Sequence, residues 1–152
     1  EKIFEHNLHL NPPRAARIHA AIAIGIYDGF VATWDAKYTY WGIRPEQMDT
    51  TFHPLLMAAP PFPGYPSGHA AVGSVTAQLL CYFFPEDRVF FQKTAKDGAE
   101  SRFQGGIHFR TDNDVALELG KKVAGAIVQK LKNDGAEQTV LGKKKTNGGK
   151  TN

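Results

Sequence analysis

The sequence predicts an all-α domain of roughly four helices and one long proline-rich loop. Several stretches repeat their apolar residues at helical spacing. No stretch alternates with period two over a useful length, so strands are not expected. Pro45, Pro54, Pro60, Pro61, Pro63 and Gly64 crowd the segment Ile43–Tyr65, a density that no long helix survives.

Taken in order, Glu1–Asn11 mixes polar and apolar residues without a clear period. Pro12 and Pro13 suit a helix start, since a first turn leaves its N–H groups unbonded in any case. Alanine, isoleucine and aromatic residues dominate from Arg14 onward, interrupted by Gly25 and Gly29. A largely buried helix is expected from about Pro13 to Tyr40. Ile43–Tyr65 is then a loop of about 20 residues, with one short helix near Glu46; loops of that length in a compact domain are usually functional. Ser67 suits an N-cap, and Ala71, Val72, Val75, Leu79, Leu80 and Phe83 keep helical spacing until Pro85 stops the helix. Glu86–Gly98 reads as a shorter helix, with Val89, Phe90 and Lys93 at helical spacing, and Ser101–Thr111 as irregular. The last helix is expected to start near Asp112, carry the stripe Val115, Leu119, Val123, Ile127 and Leu131, and end at Asn133 and Gly135.

The 152 residues, 42% hydrophobic and 22% charged, suit one globular domain. No run of about 18 apolar residues is present, so no transmembrane helix is expected. The single cysteine, Cys81, excludes an internal disulfide framework and a cysteine-rich zinc site. The net charge of +3 belongs to the end of the chain. Lys143, Lys144, Lys145 and Lys150 fall in the last ten residues, and removing those four charges takes +3 to −1. The expected division is therefore residues 1–140 as the helical domain and 141–152 as a basic, disordered tail. No nucleic-acid partner is expected outside that tail. The chain opens on Glu1 without a signal-peptide pattern, which fits either a removed leader or a piece of a longer protein.

Three clusters offer chemistry. The first is Lys37 with Arg44 and Pro45; the second is Pro66-Ser67-Gly68-His69 at a helix start; the third is Ser101-Arg102, His108 and Asp112. Lys37, Arg44 and Arg102 supply cations suited to a tetrahedral oxyanion, and an arginine binds two of its oxygens at once. Ser67 adds a hydroxyl, Gly68 allows close approach to the backbone, and free N–H groups at a helix start point at the anion. His69 and His108 then provide two imidazoles, one as nucleophile or ligand and the other as acid or base. Asp112 is spaced to accept a hydrogen bond from His108, fixing its tautomer.

The pattern Lys-x6-Arg-Pro, Pro-Ser-Gly-His and Ser-Arg-x5-His-x3-Asp resembles the type 2 phosphatidic acid phosphatase superfamily. That superfamily includes bacterial class A acid phosphatases and vanadium-dependent haloperoxidases. All three motifs stand in order with every fixed position kept, over about Arg14 to Leu131. The resemblance implies a helical bundle whose motifs converge on one anion pocket. It implies that Lys37, Arg44 and Arg102 bind the anion's oxygens, with Ser67 and the Gly68 N–H as further donors. His108 would bond the central atom, as the protein ligand to vanadium or as the nucleophile on phosphorus. His69 would be the acid–base residue, and Asp112 would orient His108.

The run Pro60-Pro61-Phe62-Pro63-Gly64-Tyr65 before Pro-Ser-Gly-His is similar to the chloroperoxidase-type branch, as are Trp34 three residues before Lys37 and the segment Gly105–Arg110. Trp34 and Phe62 would form an apolar wall of the halide or substrate pocket. The resemblance implies vanadate as cofactor and halide oxidation by hydrogen peroxide. The alternative is a phosphomonoesterase with phosphate in the same site and a phosphohistidine intermediate, and a third reading is an oxyanion-binding domain without turnover. The implied partners are small molecules: halide and peroxide, or a phosphate ester. An integral-membrane lipid phosphatase is not expected. Family enzymes resemble two stacked helical bundles, and this chain corresponds to the C-terminal one. A homo-oligomer, or a missing N-terminal bundle, is therefore expected to complete it. A secreted or periplasmic location is the expectation.

Overall fold

The protein was analysed as a computed structural model that describes residues 1–55 and 58–136. These contain helices and no strand. The elements are α1 (Lys2–Glu5), α2 (Pro12–Tyr40), α3 (Pro45–Met48), α4 (Gly68–Phe83), α5 (Arg88–Gln104) and α6 (Arg110–Asn133). Short 3-10 turns sit at Leu8–Leu10 and Pro85–Asp87. The expected tail, residues 141–152, lies outside the described residues.

α4 is the central helix and packs against α2, α5 and α6. Its sequence permits this because Ala70, Ala71, Ser74, Val75, Ala77, Leu79 and Cys81 are all buried, on more than one side. α2 turns one ridge inward, through Ile18, Ala21, Gly25, Gly29, Thr33 and Lys37. These steps of three and four follow one helical face. Asn11 starts the helix by accepting a hydrogen bond from the Arg14 N–H, and Trp41 ends it in the left-handed region with φ 49°.

Two expected elements move. α5 does not stop at Gly98 but runs on to Gln104, so Ser101 and Arg102 lie in its last turn. Ala99 is buried with Ala70, Ala71 and Ala116, and this packing outweighs the weak helix propensity of Gly98. Val89 and Phe90 are exposed; Phe91 faces the core instead. α6 begins at Arg110, before Asp112, because the Asp112 carboxylate accepts the Phe109 N–H at 3.0 Å and caps the first turn. Its buried face is Asp112, Asn113, Ala116, Gly120, Ala124 and Ile127. Of the expected stripe, Val115 is exposed and Ile127 buried.

That face is made of small residues because α6 lies close against α4. A Cβ at position 120 would stand 2.4 Å from the Ala71 carbonyl oxygen and 2.6 Å from the Ser74 Cβ, so only glycine fits. Ser74 Oγ crosses the same contact and donates to the Leu117 carbonyl at 2.7 Å. The N-terminal segment, which shows no clear period in sequence, is tied to the turn before α5. Lys2 donates to Asp87 at 3.0 Å, and His6 faces Glu86 at 3.1 Å.

The expectation of no membrane-spanning run bears on α2. Between residues 12 and 48 the chain holds an 18-residue stretch apolar enough to cross a bilayer by length and composition alone, a property that core helices and signal sequences share. Gly25, Gly29 and Asp28 break the run into pieces, which hid the average. Only 22% of that 18-residue stretch is buried within the fold.

Candidate oxyanion site

The fold carries the three motifs to helix ends. Lys37 closes the buried ridge of α2, and Arg44 immediately precedes α3. Ser67, Gly68 and His69 open α4. Arg102 lies in the last turn of α5, His108 in the turn before α6, and Asp112 in the first turn of α6.

Lys37 and Arg44 are the largest fully buried side chains among the described residues. Long charged groups are seldom fully buried without partners, and here the partners are backbone carbonyls. Lys37 Nζ donates to Pro63 O at 2.7 Å and to Gly64 O at 2.9 Å. Arg44 donates from Nη1 to Ile107 O at 2.7 Å, and from Nε and Nη2 to Phe62 O at 3.3 Å each. An ammonium has three N–H donors and a guanidinium five, so each cation keeps donor capacity after these bonds. Among the described residues no carboxylate pairs directly with either. Both cations lie over the Phe62 ring, Lys37 Nζ at 5.3 Å and the Arg44 guanidinium at 5.2 Å.

Burial, and then the neighbouring Arg44 cation, push the Lys37 ammonium down from 10.5 to about 8, against a smaller pull from Asp112. Burial likewise lowers Arg44, partly offset by Asp112 and Glu46. An anion at this point would relieve both.

His108 is buried, and its Nδ1 lies 3.0 Å from Asp112 Oδ2. A carboxylate only accepts, so Nδ1 carries the proton and Nε2 keeps a free lone pair. Nε2 lies 3.4 Å from Arg44 Nη1. Burial lowers the His108 pKa, the Asp112 hydrogen bond opposes this, and the Arg44 charge adds to the lowering. Asp112 thus orients the ring, while burial and the Arg44 charge favour its neutral form.

Trp34 and Phe62 lie 5.3 Å apart, ring centre to ring centre, and Phe30 stacks on Trp34 at 4.6 Å. Trp34 also stands over the α4 start, where a Cβ at Gly68 would come within 3.2 Å of its ring. Lys37, Arg44, His108, Asp112, Trp34, Phe62 and Gly68 thus converge.

The other candidates stand differently. The Ser67 hydroxyl is engaged as a cap, accepting the Ala70 N–H at 3.4 Å, while its backbone N–H donates to Asp112 O at 3.0 Å. Arg102 Nε donates to Ser101 Oγ at 3.3 Å. His69 is exposed, and its pKa is lowered by partial burial first and by the Arg102 charge second. Among the described residues neither Arg102 nor His69 hydrogen-bonds to the buried group. The carbonyls of Phe62, Pro63, Gly64 and Ile107 hold the two cations, and sequence reading missed them because a backbone acceptor has no side-chain signature.

Residues 89–134, spanning α5, the third motif and α6, match the family model described as the VCPO second helical-bundle domain. A search of curated proteins finds no match. Among solved structures, the chain is similar to the one described as the first bacterial vanadium-dependent iodoperoxidase. The TM-score is 0.67 with 28% identity, covering 74% of this chain and 33% of that one. The chain therefore spans about a third of that enzyme's length. Both matches support the vanadium haloperoxidase and type 2 phosphatidic acid phosphatase-like superfamily for this chain, with the helical fold of the vanadium haloperoxidases.

Proposed function

We propose that this domain holds vanadate and serves the oxidation of halide by hydrogen peroxide. The observation that carries the reading is the desolvated pair Lys37 and Arg44 beside the free Nε2 of His108, with Asp112 behind the ring. The donor set fits such an oxyanion. It offers two cations without a carboxylate partner among the described residues and one imidazole nitrogen whose ring is oriented by Asp112, a donor set suited to a metal oxyanion. Lys37, Arg44, Arg102, Ser67 and the Gly68 N–H would hold the vanadate oxygens, and His108 Nε2 would bond the metal. When bound, vanadate supplies Lewis-acid activation of peroxide toward halide.

The chain's own residues do the rest. Asp112 keeps the proton on Nδ1, so Nε2 stays the bonding atom. His69, exposed and shifted toward its neutral form, would take the proton released when peroxide binds. Trp34 and Phe62 would bound the pocket with apolar surface, which favours a weakly hydrated halide over a strongly hydrated one because its desolvation costs less.

The same free Nε2 supports a phosphomonoesterase. In that reading His108 attacks phosphorus while His69, in its protonated form, gives a proton to the leaving alcohol. Water then hydrolyses the phosphohistidine. The test is a paired assay on purified protein. Bromination of an activated diketone with bromide and peroxide is followed with and without orthovanadate; nitrophenyl phosphate hydrolysis is followed in parallel. Vanadate-dependent bromination is the expected result. Phosphate release that vanadate suppresses would move the function to the phosphatase. Binding of vanadate with neither activity would leave an oxyanion-binding domain.

A further inference from the structure

α2 has a second apolar face. Besides the buried ridge that ends at Lys37, it carries Ile24, Tyr27, Val31 and Tyr38, with Trp34 filling the gap between the last two. The steps are three, four, three and four, the a/d spacing of helices that pair along a seam. Among the described residues this seam is uncovered: Ile24 is 53%, Tyr27 69%, Val31 52% and Tyr38 48% exposed. A helix on the surface of a single bundle normally turns a polar stripe to water. Here the polar residues beside the seam are Asp28 and Asp35.

We propose that α2 pairs along this seam with α2 of a second copy of the chain, in an isologous two-fold contact. Self-pairing suits the pattern, because a 3–4 seam is complementary to another of the same kind. The area suits it too. With Phe30 and Trp41 at the edges, the exposed parts of these side chains come to roughly 600 Å² per partner, taking about 200 Å² per large aromatic; a stable interface needs about 600–1,000 Å². A bilayer fits less well. The opposite face of α2 is packed on α4 and α6, and crossing a membrane would strip that packing away. Asp28 and Asp35 flank the seam at mid-helix, where burial in lipid is costly. The seam also contains Trp34, so the second copy would cover the outer side of the aromatic wall. The proposal stands whichever reaction the oxyanion site performs.

Sedimentation velocity on the full chain, up to about 100 µM, tests the pairing. The expected species is a dimer of twice 16.7 kDa. Tyr27→Glu and Val31→Glu should each raise the dissociation constant at least about thirtyfold, as loss of an interface hot spot does. Val89→Glu, at an exposed apolar site on α5, should leave it unchanged. Circular dichroism and thermal melting distinguish dissociation from unfolding. Should a glutamate variant fail to fold, Val31→Cys with a short bis-maleimide should cross-link two copies, while Val89→Cys should not. A monomer throughout the concentration range would overturn the proposal. So would a dimer indifferent to the seam variants, or binding to lipid vesicles by a chain that stays monomeric.

Discussion

Arg44 Nη1 stands 3.4 Å from His108 Nε2 while donating to the carbonyl of Ile107, the residue just before that histidine. One guanidinium thus holds the backbone of the third motif and faces the ring nitrogen left free by Asp112. Arg44→Lys keeps the charge but cannot span Phe62 O, Ile107 O and an anion together. The expected outcome is a weakening of vanadate or phosphate binding by about tenfold or more, read by titration calorimetry. Wild-type affinity in the variant would refute the geometry as the source of binding.

Asp112→Asn tests the tautomer. The amide can present its NH₂ to Nδ1 and shift the ring proton to Nε2, blocking the bonding atom. Outer-shell changes of this kind typically cost about 10–100-fold in metal affinity or activity. Vanadate affinity and turnover should fall together in Asp112→Asn. His108→Ala should abolish turnover outright, whichever of the two reactions the assay reveals.

Lys37 makes stability depend on pH in a defined direction. Its folded pKa, about 8, lies below the unfolded 10.5. Below pH 8 the side chain is charged in both states, and its burial cost is fully present. Between about 8 and 10.5 the unfolded chain binds the extra proton, so stability rises with pH. The gain approaches about 3 kcal/mol, from roughly 1.4 kcal/mol per unit of pKa. Urea unfolding in anion-free buffer at pH 7.5 and 10 should show the rise, and Lys37→Met should remove this component. Oxyanion affinity moves the opposite way, falling as pH climbs through about 8. A flat stability curve would mean that Lys37 does not titrate in this range.

Phe62→His replaces the ring that lies under both cations with one that can carry charge or donate a hydrogen bond. If the aromatic wall borders the halide, the ratio of kcat/KM for bromide and iodide should change. An unchanged ratio, with activity retained, would remove Phe62 from the substrate pocket.

Two glycines of α6 should respond in opposite ways to alanine. At Gly120 the new methyl meets the Ala71 carbonyl and Ser74 Cβ at impossible distances, and overpacking of this kind costs about 1–3 kcal/mol. At Gly125 nothing lies within 4 Å, so alanine should stabilise the helix by about 0.5–1 kcal/mol. Chemical denaturation of the two variants gives both signs in one experiment.

Much of this architecture was legible in sequence. The starts of α2 and α4 were marked by Pro12–Pro13 and Ser67, whose effects are local. The extension of α5 was not, because Ala99 is helical for the sake of Ala70, Ala71 and Ala116, which are distant in sequence. The core face of α6 was read only in part: Ile127 is buried and Val123 and Leu131 pack against the core, while Val115 is exposed. The larger apolar residues drew attention, whereas the contact with α4 is built on Ala116, Gly120 and Ala124. At the candidate site, side-chain motifs pointed to Lys37, Arg44, His108 and Asp112, which the fold brings together. The roles of Arg102 and His69 remained a matter of resemblance, since neither is bonded into that buried group.

The Ser67 N–H donates to Asp112 O, the Gly64 N–H to Gly42 O, and the Leu55 N–H to Gly105 O. These bonds stitch together segments far apart in the chain around one pole of the bundle. In hydrogen–deuterium exchange they should behave as one cooperative opening unit rather than as separate loops. An anion gripped by Lys37 and Arg44 would slow exchange at Ser67, Gly64 and Leu55 together, although it need touch none of those amides. Occupancy of the pocket would then be readable in backbone protection alone, before any turnover is measured.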